Sequence, residues 1–422
     1  MPAQVCECAA NWRIEMVLLT TGEVLKVIVP TSFEFEMVFM EAGRGTISFN
    51  RHGVEAFSGR TEPSFVKMAQ MYPRAVGIYF SRTAGGTATP DEPTPMFGGI
   101  LNSFNGSSDG MVTLGFDEIQ SYLDYRMIRS DLVFTGVDQR AIAQALVNYA
   151  SGTNVDGGSV DPIAGPGIQL IGGQGGAGGI NRDRTYLGVD RKTLGDALRE
   201  FVAIIDGPVY SLEHFRQTIS NVWTSELLFR NTWFQTSPFP VIAWHHLTDL
   251  KFDMDGNELA NLVDAFGEPD ADGTPLISTF WTGGTIADMP RYDAAPTFDG
   301  VTSSSTLFDH AHGYQNDHFD LAGNLQLFFS GLDYGTAEGD STLSIDDLTP
   351  GNEVSLDIIS PHWAIRGGYT IEFSDAQPRI GRLSVAVGLE GPEKVTVQIM
   401  EEEMNELVIA GEADNEICWD CF

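Results

Sequence analysis

Between residues 12 and 116 apolar and polar positions alternate with a period of two. In "WRIEMVLL" Ile14, Met16 and Leu18 alternate with Arg13 and Glu15; in "SFEFEMVF" Phe33, Phe35, Met37 and Phe39 alternate with Glu34 and Glu36. Alternation of this kind turns one face of a strand inward and the other to water. "EVLKVIV", "GTISFN", "RAVGIYFSR", "PMFGGILNSF" and "GMVTLGF" read as further strands. About seven short strands in about a hundred residues predict a barrel or sandwich.

The period then changes. In "VDQRAIAQALVNYA" Ile142, Ala145, Leu146 and Tyr149 share one helical face behind a cap at Asp138. In "KTLGDALREFVAII" Leu194, Ala197, Leu198, Phe201, Val202 and Ile205 follow helical spacing, and Thr193 with Asp196 has the pattern of a capping box. Residues 121–206 therefore predict a small α/β domain, with the Gly-rich "AGPGIQLIGGQGGAGG" as a loop between its helices. Strand patterns return in "PVYSLEHF", "NVWTSELLF" and "PVIAWHHLTDLKF", and again in "EVSLDII", "GYTIEFS", "IGRLSVAVGL" and "EKVTVQIM". Between these groups, residues 257–345 are dense in Asp, Gly and Thr and read as an irregular insertion. The fold class expected is mainly β with a small α/β part.

Composition narrows the function. The chain has 422 residues, 42% hydrophobic and 19% charged, with 46 Gly and 20 Pro, which suits a loop-rich β protein with a sizeable core. Acidic residues outnumber basic ones 58 to 24 for a formal charge of −34, so a general nucleic-acid binder is disfavoured. No secretory pattern opens "MPAQVCECAANWRIEM", and no segment reaches the roughly 18 to 20 apolar residues of a membrane span.

The order of "MFGGIL", "YLDYRMI", "RTYLGVDRKTLGDALREF", "GNELANLVDAFGE", "LTPGNEVSLDII" and "RIGRLSVAVGLEGPEKVTVQI" resembles the tail hub proteins of long-tailed bacteriophages, often labelled minor tail proteins in actinobacterial phages. The resemblance covers about 12 to 402 and lies in order and texture rather than in any catalytic signature. It implies two tube-like β-barrel domains per chain, assembled as a homotrimer into a pseudo-sixfold ring that closes the tail tube. Mapped onto this sequence, it implies an arm at 1–11, a first barrel at 12–120 and the α/β domain at 121–206. A second barrel would be built from 207–256 and 346–402, with the insertion at 257–345 and a tail at 403–422. It further implies a place at the virion's tail tip, assembly in the host cytoplasm, and partners among the distal tail protein, the tape measure protein and other tail-tip proteins. Genome DNA would pass through without specific binding, and the excess of acid would give the channel a net negative wall that repels phosphate. The plainer reading is that an acidic surface keeps an assembling protein soluble.

Candidate chemistry is sparse. Gly173, Gly175 and Gly178 match G-x-G-x-x-G, but "INRDRTYLG" follows where a dinucleotide site needs a helix, so a flexible or surface loop is expected. In "FDHAHGYQNDHFD" His310, His312 and His318, beside Asp309 and Asp317, have the donors of a transition-metal site, and on an extended segment His310 and His312 would face one side. The alternative is polar loop residues at a subunit interface. "KFDMDGNELANL" and "EPDADGTPLIST" carry D-x-D-G fragments without the remaining ligands of a calcium loop, so Asp-Gly turns are expected. No H-E-x-x-H occurs, and residues 403–422 are too few for a C-terminal cell-wall hydrolase, so no catalytic residue and no enzyme is expected. A carbohydrate-binding adhesin is the rival function, with Trp281, Tyr292, Tyr314, Phe319 and Tyr334 as a stacking surface or as packing. The four cysteines, Cys6, Cys8, Cys418 and Cys421, stand in two tight pairs at the chain ends. A redox dithiol needs a helix N-terminus that "CWDCF" does not provide. A disulfide clasp, a structural zinc site and free thiols remain open, and structural zinc is the one cofactor considered.

Overall fold

A computed structural model describes residues 12–50, 73–82, 93–152, 168–204, 206–217, 222–231, 240–255, 260, 262–269, 272–281, 293–298, 300–318, 322–330, 343, 345–359, 364–367, 378–388, 393–400 and 408–410. The first β region holds β1 (Trp12–Leu18), β2 (Glu23–Ile28), β3 (Ser32–Val38), β4 (Glu41–Asn50), β5 (Val76–Arg82), β6 (Thr94–Gly106) and β7 (Met111–Glu118). The α/β unit follows with β8 (Leu132–Asp138), α1 (Gln139–Ser151), β9 (Leu170–Gln174), β10 (Asn181–Tyr186) and α2 (Leu194–Val202). Next come β11 (Val209–Gln217), β12 (Val222–Arg230), β13 (Val241–Ala243) and β14 (Asp249–Asp255). A small unit of β15 (Leu262–Phe266), β16 (Ile277–Trp281), β17 (Asp293–Ala294) and α3 (Ser304–His318) precedes β18 (Ala322–Ser330). The chain continues through β19 (Ser355–Ile359), β20 (Ala364–Gly367), β21 (Ile380–Val387), β22 (Lys394–Ile399) and β23 (Val408–Ala410).

One 14-stranded sheet organises the molecule, in the order β11-β12-β2-β1-β5-β6-β7-β4-β3-β21-β22-β18-β14, with β9 beside β12. The two β regions are therefore joined through backbone hydrogen bonds, where β3 pairs antiparallel with β21 from Arg382↔Val38 to Val387↔Phe33. A single apolar core lies beneath this join. Phe33, Phe35, Phe80, Phe97 and Phe116 of the first region share it with Leu325, Leu327, Phe329, Val385 and Val397 of the second. Strict alternation fixes the inner face: in β7 Val112, Leu114 and Phe116 are buried while Thr113, Gly115 and Asp117 between them are not.

A second core forms around α1 and α2. The Asp138 side chain caps α1 by accepting from the Arg140 amide, and Gly152 ends the helix in the left-handed conformation, φ 71°. The Thr193 hydroxyl accepts from the Asp196 amide at the start of α2, as the capping pattern predicts.

Three expectations change. Residues 207–230 pack with the α/β unit rather than with the second β region, because β12 turns Trp223, Leu227 and Phe229 into the second core and pairs with β9 and β2. The segment 257–345 is not irregular throughout: β15, β16 and β17 form their own sheet, with Val263 and Ala265 packed on Leu307 and Ala311 of α3. Its end, β18, belongs to the large sheet between β22 and β14. The Gly-rich loop is held in place, because the Arg140 guanidinium donates to the carbonyls of Gly175 and Gly176 at 2.7 Å each.

Candidate functional site

The β3–β21 join sets a polar face opposite the apolar core. Opposite the apolar core, the register sets polar side chains in rows across the strands. One row runs Asp117, Arg44, Glu36, Ser384, Thr396, Phe328 and Asp249. The next runs Val38, Arg382, Gln398, Gln326 and Lys251. Glu34, Thr46 and Lys394 belong to a neighbouring row. A groove of about 800 Å³ lies along this face at the join, lined by Glu34, Glu36, Arg44, Thr46, Ser384 and Lys394 among others.

Charged side chains bridge the join on this face. Glu36 accepts from Arg44 Nε at 2.9 Å and lies 3.4 Å from Arg382 Nη1, so its carboxylate bridges cations from both β regions. Glu34 accepts from the Thr46 hydroxyl at 3.2 Å, and the Ser48 and Thr113 hydroxyls share a hydrogen bond of 2.9 Å. The rows carry Asp117, Glu34, Glu36, Asp249 and, beside Val38, the exposed Glu41, together with Arg44, Arg382, Lys394 and Lys251.

Two carboxylates are buried where the first β region meets β11, β12 and the α/β unit. Glu15 is fully buried and accepts from Arg13 Nε at 2.7 Å, Arg216 Nε at 2.9 Å and the Trp223 indole N–H at 2.7 Å. Two cations and an indole thus donate to its oxygens. Glu118 accepts from the Gly43 amide at 2.9 Å and from Gln120 Nε2 at 3.0 Å, both neutral donors. Burial dominates there and pushes its pKa up to about 8.

Ser225 Oγ lies 2.9 Å from His214 Nδ1 and 3.2 Å from the Tyr79 hydroxyl, a grouping that brings nucleophilic catalysis to mind. Ser225 and Tyr79 are shut off from solvent and His214 nearly so, which denies a substrate access; burial also pulls the His214 pKa down to about 3. The trio packs the second core, with Tyr79 stacked on Trp223 at 4.5 Å.

Of the seven predicted site residues, the structure describes the side chains of His310 and His312. His310 and His312 lie on α3 rather than on an extended segment, and two residues along a helix separates them by about 200°. His310 stacks on Phe298 at 4.6 Å and His312 on Phe280 at 4.3 Å. The side chain of His318 and the cysteines Cys6, Cys8, Cys418 and Cys421 lie outside the described residues. Among the described residues no three His, Cys, Asp or Glu side chains gather to hold a metal. Gly273, φ 80°, follows Asp272 between β15 and β16 as the expected Asp-Gly turn. Of the predicted aromatics, Trp281 is exposed and Tyr314 packs on the α3 core, while Tyr292, Phe319 and Tyr334 lie outside the described residues. Strand alternation had revealed Glu34 and Glu36 on an outer face; nothing in it signalled their partners Arg44 and Arg382.

The architecture is a mainly β chain whose two β regions share one sheet, with an α/β unit alongside, and two solved tail proteins are similar to it in fold. The tail protein from Neisseria meningitidis MC58 superimposes with a TM-score of 0.53 at 10% identity, over 94% of this chain and 98% of that one. The 43 kDa tail protein of prophage MuSo2 from Shewanella oneidensis gives 0.54 at 9% identity, over 93% and 99%. No family model matches the chain, and no curated protein matches it by sequence. The resemblance to tail hubs read from the sequence is thus met at the level of the fold. No helix among the described residues is long and apolar enough to cross a membrane.

Proposed function

We propose that the chain is a structural tail-tip hub of a bacteriophage. Three copies form a ring that closes the distal end of the tail tube and contacts the distal tail protein, the tape measure protein and other tail-tip proteins. The observation that carries this reading is the unbroken sheet through β3 and β21: each chain presents two β regions side by side with one polar face, the arrangement a pseudo-sixfold ring of three chains requires. Likeness in fold to two tail proteins over nearly their full lengths supports it.

The polar face is the proposed channel wall, along which DNA passes on its way out. With the chain's acid excess of −34, smooth passage rests on a net negative lumen that repels phosphate, helped by carboxylates that hold the cations of the face. Arg44 and Arg382 are held by Glu36 and so have less to offer a phosphate. The role is structural rather than enzymatic, in the virion after assembly in the host cytoplasm. The clasp of Cys6, Cys8, Cys418 and Cys421, as disulfide or zinc site, and a metal at His310, His312 and His318 stay as proposals. Non-reducing electrophoresis and zinc analysis of the purified protein test both. For the hub itself, an antibody to the chain should decorate the distal tail tip of intact particles; label on the head or along the tube contradicts the assignment.

A further inference from the structure

The sheet of β15, β16 and β17 has two unlike faces. One is closed: Val263 and Ala265 are buried against Leu307 and Ala311 of α3, with Phe280 packed beside them. On the other, β16 presents Ile277, Thr279 and Trp281 in succession, all exposed. Trp281 is 60% exposed and Ile277 50%. Among the described aromatic side chains, none is more exposed than Trp281. A large exposed apolar ring is informative in a way that an exposed polar side chain is not, since water contact with it is unfavourable.

The surroundings of the indole define what it would bind. Across the strands Trp281 stands opposite Leu262, which in turn stands opposite Asp293 on β17. Thr279 stands opposite Asp264 and donates its hydroxyl to Oδ1 at 2.5 Å. An ionised carboxylate has about four lone-pair sites, so Asp264 retains capacity to accept further hydrogen bonds. The sheet thus offers a flat aromatic ring, with a hydroxyl two residues along the same strand and a carboxylate diagonally across on the neighbouring one. Asp264 and Asp293, in a chain of net charge −34, disfavour phosphate, nucleic acid or an acidic glycan. A second copy docked on the same face would set these carboxylates against their counterparts. A neutral sugar fits: its C–H face stacks on an aromatic ring while its hydroxyls donate to carboxylates.

We infer that the outer face of the β15–β16–β17 sheet is a binding site for a neutral, polyhydroxylated glycan, with Trp281 as the stacking platform and Asp264 as acceptor of sugar hydroxyls. This goes beyond the ring and does not depend on it; only the source, a glycan of the bacterial cell wall, follows from the tail-tip reading.

The test titrates the full-length protein calorimetrically with chitopentaose, cellopentaose and soluble peptidoglycan fragments. Binding of at least one is expected, weakened about tenfold or more in Trp281→Ala, partly restored in Trp281→Phe and unchanged in Phe215→Ala, an exposed aromatic on β11. The far-ultraviolet circular dichroism of each variant should match the parent. Absence of binding to all three probes overturns the inference, as does equal binding by Trp281→Ala. A change of oligomer mass in Trp281→Ala also overturns it, because the face would then be a contact between copies. Sugar binding by a protein that stays a single chain would leave this site standing and remove the ring, whereas a trimer that binds no sugar would do the reverse.

Discussion

The first β region is joined to its two neighbours by different physics. Toward the second β region the join is a backbone ladder, β3 on β21, over an apolar core of Phe33, Phe35, Leu383 and Val385, with the charges of β3, β4 and β21 in the open face and one ion pair, Arg82 with Glu393 at 3.3 Å, buried. Toward the α/β unit and β11–β12 the ladder is short, one β12–β2 pair at Val222↔Glu23 with the Gln169 and Trp223 amides donating to the Leu19 and Gly22 carbonyls, and a shared apolar core of Val17, Leu19, Tyr79 and Ile100 with Leu170, Trp223 and Leu227 is joined by buried polar side chains. Glu15 gathers Arg13, Arg216 and Trp223 there, and the Tyr210 hydroxyl donates to the Met40 carbonyl, near the buried Glu118, which accepts from Gly43 within the first region. The ladder and its apolar core keep their geometry when the charges of the open face change. Where buried polar groups are added to apolar packing, losing one partner weakens the join, and it responds to pH. In the proposed ring the continuous sheet would be the stiff element and the α/β unit the attachment.

The largest expected effect separates the joins directly. Glu15→Ala leaves Arg216 and the buried Trp223 indole without their acceptor and should cost about 4 kcal/mol, the range for breaking a buried pair. Urea unfolding measures it, and a cost below about 1 kcal/mol would show that this join does not rest on Glu15. Leu383→Ala, in the ladder join, should cost about 3 kcal/mol through lost burial and the cavity left behind, with no change in pH dependence.

Glu118 sharpens the contrast through pH. In the unfolded chain this carboxyl ionises from about its usual 4.5 upward, while in the folded chain it keeps its proton until about 8. The folded state therefore binds the extra proton, and stability falls as pH rises through this window, by about 2 kcal/mol between about pH 6 and about pH 8.5. Glu118→Gln should flatten that slope in denaturant midpoints, and an unchanged slope would assign it to other groups. The smallest effect belongs to the open face: Arg44, its side chain 76% exposed, can be changed to Ala for under about 1 kcal/mol despite its pairing with Glu36.

How much of this was legible from the sequence follows the same division. Alternation of Phe33, Phe35 and Met37 with Glu34 and Glu36 gave β3 and its faces, and capping residues gave α1 and α2. Alternation states which face is buried and never which strand lies alongside, so the pairing of β3 with β21 was not legible. The same limit sent β11 and β12 to the second β region. Helix α3 escaped because its buried positions Leu307, Ala311 and Gln315 include only two apolar residues, too thin a stripe to read in "SSTLFDHAHGYQNDH". Glu15, Arg13 and Arg216 looked like ordinary outward-facing charges, since nothing local marks a carboxylate that will be buried by residues two hundred positions away.

The central claim is that two β regions in one sheet make each chain a third of a ring. Mass measurement of the purified full-length protein, with class averages from electron microscopy of the same sample, tests it most directly. The prediction is a species of three times the 46.0 kDa chain mass, seen end-on as a ring with an open centre and near-sixfold appearance. A stable single chain with no ring at any concentration up to that of assembling particles would contradict it.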